Sequence, residues 1–207
     1  GPLGKLGSER GVCQGMAGIT GAFFEMGRFD PSQPKPTAKQ SQEIVDRLIR
    51  RHSGGCSTQE LIPGYANLRE FCAAHTEIFL KRSISYNASI AAVEILPTLP
   101  QFLTLKSKPV TSGSLRRQLD RTVQSLSTKL REGRIPLVMV YSHVTNVLSL
   151  TETLTPTGKN VKLITYDSND FSKTRSLTIR YGNDGLPTAD NRMIWDVTPD
   201  RRWVSCR

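Results

Sequence analysis

The chain is short of acid and short of the residues that build metal sites. Against 28 lysines and arginines stand 18 aspartates and glutamates, which leaves a formal net charge of +10. There are three histidines and four cysteines (Cys13, Cys56, Cys72 and Cys206), and no two cysteines are spaced as a CxxC pair. A zinc ribbon or a thioredoxin-type redox motif is therefore excluded, and no cofactor is expected. No apolar run approaches the ~18 residues of a membrane-spanning helix. No period repeats, no helix-turn-helix or zinc-finger spacing occurs, and aromatic residues make up 7% of the chain. The basic residues are scattered (Arg47, Arg50 and Arg51; Lys81 and Arg82; Arg116, Arg117 and Arg121; Arg201 and Arg202) rather than interleaved with aromatics. That pattern disfavours nucleic acid as a partner. Attraction to an acidic protein or an anionic membrane surface remains open, as does a solvated basic face. Oligomeric state is not legible.

The 207 residues are enough for one domain with a sizeable core, and a content of 37% hydrophobic and 22% charged residues is that of a globular protein. Gly1-Pro2-Leu3-Gly4 resembles the scar of a cleaved expression tag and is set aside, leaving residues 5–207 as a single domain. Its helical half is expected over about 5–133 and its sheet half over about 134–207.

The chain is organised around Gly11-Val12-Cys13-Gln14-Gly15-Met16 and the residues that follow to Phe24. Ile19, Phe23 and Phe24 predict one apolar helical face, with Gly15, Gly18 and Ala22 as a small-residue stripe. Each helical glycine costs roughly 1 kcal/mol against alanine, so close approach of another backbone is expected to offset it. A cysteine on the first turn meets the positive end of the helix dipole, which favours thiolate. The plainer alternative is a buried structural cysteine.

Phe29 to Pro36 reads as an extended linker stiffened by proline. Thr37 caps a helix whose stripe is Ile44, Val45, Leu48 and Ile49. His52 falls at its C-terminal end, where a capping role suffices. A third helix is predicted over about 65–81, with His75 among Leu68, Phe71, Cys72, Ile78 and Phe79, the place of a packed core histidine. Residues 84–95 fit helix or strand. Leu115, Leu119, Val123, Leu126 and Leu130 predict an amphipathic helix, opened by Ser112 or Ser114 and ended by Gly133. Cys56 and Cys72 can bridge in an oxidising compartment, and reduced thiols fit equally well.

The C-terminal part reads as strands. Residues 135–141 are followed by His143 and a second β-rich run. A Pro156–Gly158 turn and residues 161–166 follow, ending on Asp167-Ser168-Asn169-Asp170. His143 opens one strand of a hairpin and Asp167 closes the other, so antiparallel pairing brings both to one end of the sheet. Asn160 lies at the wrong end, and Asn169 and Asp170 lie out in the turn. Further strands are expected over 176–181 and 193–197. Helices first and an antiparallel sheet last is the α+β class.

Gly-x-Cys-x-Gly-Met opening a helix, a strand-initial His, and Tyr166-Asp167-Ser168-Asn169-Asp170 resemble the papain-like cysteine peptidases, nearest to the short bacterial YopT-type effector proteases. The resemblance covers residues 11–26 and 137–170. It implies a papain-like fold, with the Cys helix packed on an antiparallel sheet. Cys13 would be the nucleophile, His143 the general base and Asp167 the residue that orients it. The oxyanion-hole Gln that many such enzymes carry about six residues before the Cys is replaced here by Gly7 and Ser8, leaving Gln14 or Ser8 as candidate second donors. Ser168 replaces the usual Pro after the acid. The implied activity is a thiol protease acting on a protein substrate, as a secreted bacterial virulence effector with a cytosolic site of action open. Deamidation, transglutamination and acyl transfer use the same triad. A non-catalytic basic binding module is the alternative from another class.

Overall fold

The computed structural model describes residues 13–56, 58–90, 112–140, 143–168, 174–182 and 194–198. Two compact units emerge. One is built from the first 89 residues, and the other mainly from residues 90–167 and 173–198.

The first unit is organised around helix α1, Cys13–Met26, which is buried on nearly every side from Gln14 to Phe23. That is the behaviour of a helix apolar all round. Phe24, expected on the buried face, is 38% exposed. It lies 100° beyond Phe23 on the helix, at the edge of what the neighbours cover. Gly18 is explained by a side chain rather than by another backbone, since a Cβ there would sit 2.1 Å from Cε1 of Tyr86. The chain then enters strand β1, Gly27–Asp30, which pairs in parallel with β2, Glu60–Pro63. Phe29 and Asp30 thus belong to a strand, and only the prolines after them form the connection.

Between these strands runs α2, Ala38–Ser53, capped by Thr37 in a capping box with Gln40. Ile44, Val45 and Leu48 are its buried stripe. The expected third helix is two helices, α3 (Leu68–Ala74) and α4 (Thr76–Ile90), separated at His75 (φ −130°, ψ 36°). Asn67 caps α3 by accepting from the Glu70 N–H. The break lets Phe71 and Phe79 both reach Phe23 of α1, at ring-centroid distances of 5.4 and 5.3 Å. Three tightly packed aromatic rings outweigh the helix propensity that would have carried the chain straight on. Residues 84–90 are helical, and the rest of the ambiguous stretch lies outside the described residues.

The second unit is a five-stranded antiparallel sheet in the order β6-β5-β4-β3-β7. The strands are β3 (Leu137–Val140), β4 (His143–Thr155), β5 (Gly158–Tyr166), β6 (Thr174–Tyr181) and β7 (Ile194–Asp196). Helix α5, Ser112–Arg131, packs on it through Leu119, Val123 and Leu126 against Val138, Val147, Val161, Leu163 and Ile179. This helix, placed by its sequence position with the helical half, belongs to the sheet. Gly133, at φ +74°, turns the chain out of it. Together the units make an α+β chain.

Candidate functional site

His143 and Asp167 meet at one end of the sheet. The pairing of Val140 with His143 fixes the start of β4, and that of Asn146 with Tyr166 fixes the end of β5. Asp167 is the first residue beyond the strand. Its Oδ1 lies 2.9 Å from His143 Nε2. An ionised carboxylate can only accept, so Nε2 is the nitrogen that donates, and in the neutral ring the lone pair is on Nδ1. The ring is 37% exposed while the carboxylate is 10% exposed. A shielded acid holding a half-open imidazole is the arrangement in which an acid fixes the tautomer of a general base.

A β-bulge aims the histidine. The register of β4 against β5 shifts between Val147 and Ser149, so that Val147 faces Thr165 and Ser149 faces Ile164. Leu148 is the extra residue. Without it, strand alternation would put Leu150 and His143 on opposite faces. With it, Val147, Thr145 and His143 share the face that carries Leu150, Leu163 and the core. The pair therefore stands on the same face as the core. Asn160 pairs with Thr153 and Arg180 at the far end of the strand. Asn169 and Asp170 lie outside the described residues.

Arg175, which the sequence reading missed, reaches the other carboxylate oxygen: its Nη2 is 3.7 Å from Asp167 Oδ2. The β5–β6 register sets Arg175 opposite Thr165, two residues before Asp167, and the strand expected from residue 176 left it out.

Cys13 and Gln14 lie in the first unit, on the opening turn of α1. Cys13 is a half-buried thiol, and Gln14 is buried at 9% exposure. Ser8 lies outside the described residues. Cys72 is also a thiol, fully buried, and burial pushes it well above the ordinary range. Cys56 is disulfide-bonded. The Cys56–Cys72 bridge that the sequence permitted does not form, because Cys72 is committed to the interior as a thiol. Cys206 lies outside the described residues.

The other two histidines take structural places. His52 lies in the last turn of α2 as expected and is buried there, with Nε2 2.9 Å from Glu25 Oε2 and Nδ1 3.4 Å from the Tyr86 hydroxyl. His75 caps α3, and its Nε2 lies 2.9 Å from both Ser41 Oγ and Tyr65 OH. Its ring lies against Phe71, and burial lowers its pKa. Some of the scattered basic residues serve internal pairing: Arg47 and Arg51 hold Glu60, and Arg82 holds Asp46.

A cavity of about 650 Å³ opens elsewhere in the second unit, between α5 and the β4–β5 turn. Its charges are largely cancelled within it, Arg116 by Asp120 and Lys159 by Glu152. Among the described residues no cluster of three or more His, Cys, Asp or Glu side chains could hold a metal ion. None of their helices is long and apolar enough to cross a membrane.

A family described as a domain of unknown function, DUF8321, matches residues 13–82. The matched segment opens on Cys13 and contains His52 and His75, but neither His143 nor Asp167. No curated protein and no solved structure matches the chain.

Proposed function

We propose that the protein is a thiol acyl-transfer enzyme of papain-like type, most simply a cysteine protease. The observation that supports this reading most is the His143–Asp167 pair, a half-exposed imidazole held by a shielded carboxylate. In the proposed reaction His143 Nδ1 takes the Cys13 thiol proton, and the resulting imidazolium is stabilised by Asp167. The thiolate attacks a substrate carbonyl carbon. As the C–S bond forms, the carbonyl electron pair moves to oxygen, where the Cys13 N–H is one donor and Gln14 a candidate second. The tetrahedral species collapses, the C–N bond breaks and His143 delivers its proton to the leaving nitrogen. Water, deprotonated by His143, then hydrolyses the thioester and the thiol is restored.

The same sequence on a glutamine side chain releases ammonia, and with an amine in place of water it joins two chains. The product separates these outcomes: a shortened peptide, free ammonia or a cross-link. The disulfide at Cys56 fits a protein that has passed through an oxidising compartment, as a secreted protein does. A protein substrate, and an acidic protein or anionic membrane as further partner, belong to this proposal.

The test is labelling of the full chain with an epoxide or vinyl-sulfone probe. Cys13 should be modified, Cys72 should be spared by its burial, and His143→Ala should abolish the labelling. Labelling that ignores His143 would leave a basic binding module as the better reading, and turnover that survives Cys13→Ala would show that Cys13 is not the nucleophile.

A further inference from the structure

We propose that Arg175 is a positioning residue that shares the Asp167 carboxylate with His143 and so keeps the imidazole a weaker base than an unshared carboxylate would. This rests on the acyl-transfer reading for its catalytic meaning, though not for its electrostatics. Asp167 presents Oδ1 to His143 at 2.9 Å and Oδ2 to Arg175 at 3.7 Å. At 3.7 Å the guanidinium is beyond hydrogen-bond distance and acts on the carboxylate through its charge. The guanidinium keeps its charge at every relevant pH. It draws on the same negative charge that would stabilise imidazolium, and it repels imidazolium directly. Both effects favour neutral His143, the form that accepts a proton.

The arrangement is local. β3 carries no charged residue, and Glu152, Lys159 and Lys162 lie toward the β4–β5 turn. Lys162, the nearest of these in sequence on β5, is roughly 16 Å away along the strand at ~3.3 Å per residue. Arg180 faces Asn160 at that same far end. On β7, Asp196 pairs with Val138 and its carboxylate is bound by Lys129 of α5. Arg116 and Asp120 of α5 line the cavity near the turn. Arg175 therefore acts on the pair at close range, where these other strand and helix charges do not.

Arg175 is 62% exposed, so the effect is modest and replacement should leave the fold intact. The experiment is an NMR titration of the His143 ring in the full chain carrying labelled histidine. Arg175→Gln should raise the His143 titration midpoint by about half a pH unit, Arg175→Lys should restore most of the wild-type value, and added salt should shrink the difference. An unchanged or lowered midpoint in Arg175→Gln, or an Arg175→Lys variant that behaves like Arg175→Gln, would overturn the assignment. The titration needs no turnover. Failure of Cys13 labelling would thus remove the acyl-transfer reading and leave the Arg175 result to be judged on its own.

Discussion

Two histidine–carboxylate pairs in this chain have the same bond length and opposite surroundings. His52 Nε2 and Glu25 Oε2 are 2.9 Å apart with side chains 10% and 4% exposed. His143 Nε2 and Asp167 Oδ1 are also 2.9 Å apart, with side chains 37% and 10% exposed. Hydrogen-bond geometry alone does not distinguish a fastening from a site. Access does. The His52 pair ties the end of α1 to the end of α2, and its second nitrogen meets the buried Tyr86 hydroxyl. The His143 pair buries its acid and leaves the ring half open, which a proton-transfer group requires.

The largest effect should come from exchanging the two histidines' fates. On the proposed acyl-transfer reading, His143→Ala should lower turnover by about three orders of magnitude or more, as expected for the loss of a general base, while the melting temperature hardly moves. His52→Ala should do the reverse. It removes the imidazole that holds the buried Glu25 carboxylate, a loss of about 3 kcal/mol, while any activity of the folded molecules is kept. Replacing both Glu25 and His52 by leucine should recover much of that stability, because an apolar pair needs no compensation. Thermal melts beside turnover of the same samples check all three. A His52→Ala variant that is stable but dead would erase the distinction.

Asp167→Asn comes next. The amide keeps the shape of the carboxyl group but supports imidazolium poorly, so kcat should fall by one to two orders of magnitude with little change in folding. A variant as active as the wild type would show that the acid does not orient the base.

Legibility in the sequence followed the range of the interactions. The α5 stripe, the Gly133 stop, the Thr37 cap and the Pro156–Gly158 hairpin are written in neighbouring residues, and the structure has them. The meeting of His143 and Asp167 was legible because antiparallel strands joined by a short turn must bring those ends together. Glu25 with His52 was not legible, because nothing local says which carboxylate a helix-end histidine will find. The parallel pairing of β1 with β2 joins two four-residue strands across a whole helix, and the prolines after Asp30 disguised the first of them. The bulge at Leu148 hides in a run that alternates plausibly in either register. The kink at His75 was set by the aromatic packing of Phe71 and Phe79 on Phe23, which no window of local sequence contains.

Gly18 gives a smaller and more local test of the buried pair. Alanine would gain about 1 kcal/mol of helix propensity, but its Cβ would fall 2.1 Å from the Tyr86 ring. The ring is 3% exposed and has little room to retreat. Overpacking of this kind costs about 1–3 kcal/mol, so Gly18→Ala should be destabilised by about 1 kcal/mol net. In a Tyr86→Ala background the same substitution should become neutral or stabilising, because the clash is gone and the propensity gain remains. A cost that persists without the tyrosine ring would place the constraint elsewhere on α1.

The third histidine, which has no carboxylate partner among the described residues, supplies the test whose pH-dependent part is smallest. His75 Nε2 lies between two hydroxyls, those of Ser41 and Tyr65, with its ring against Phe71. Burial disfavours the charged ring and lowers its pKa from the ordinary value of 6.5. The sign of the resulting pH dependence follows from proton counting. Between the lowered folded value and the unfolded value near 6.5, the unfolded chain binds more protons than the folded one, so stability rises with pH across that window. The neutral-ring contribution is complete above the unfolded value and is lost as pH falls toward the folded one. His75→Gln removes the titrating group while offering the hydroxyls an amide. At pH 8 it should cost about 1–2 kcal/mol through altered hydrogen bonds and lost contact with Phe71. At pH 5 the gap to the wild type should be narrower, because the wild type alone has lost stability to protonation. Urea melts of both proteins at the two pH values measure that gap. A gap that widens on acidification would mean the folded protein holds the protonated ring more tightly than the unfolded chain does, and His75 would then belong with the two histidines that have acids rather than apart from them.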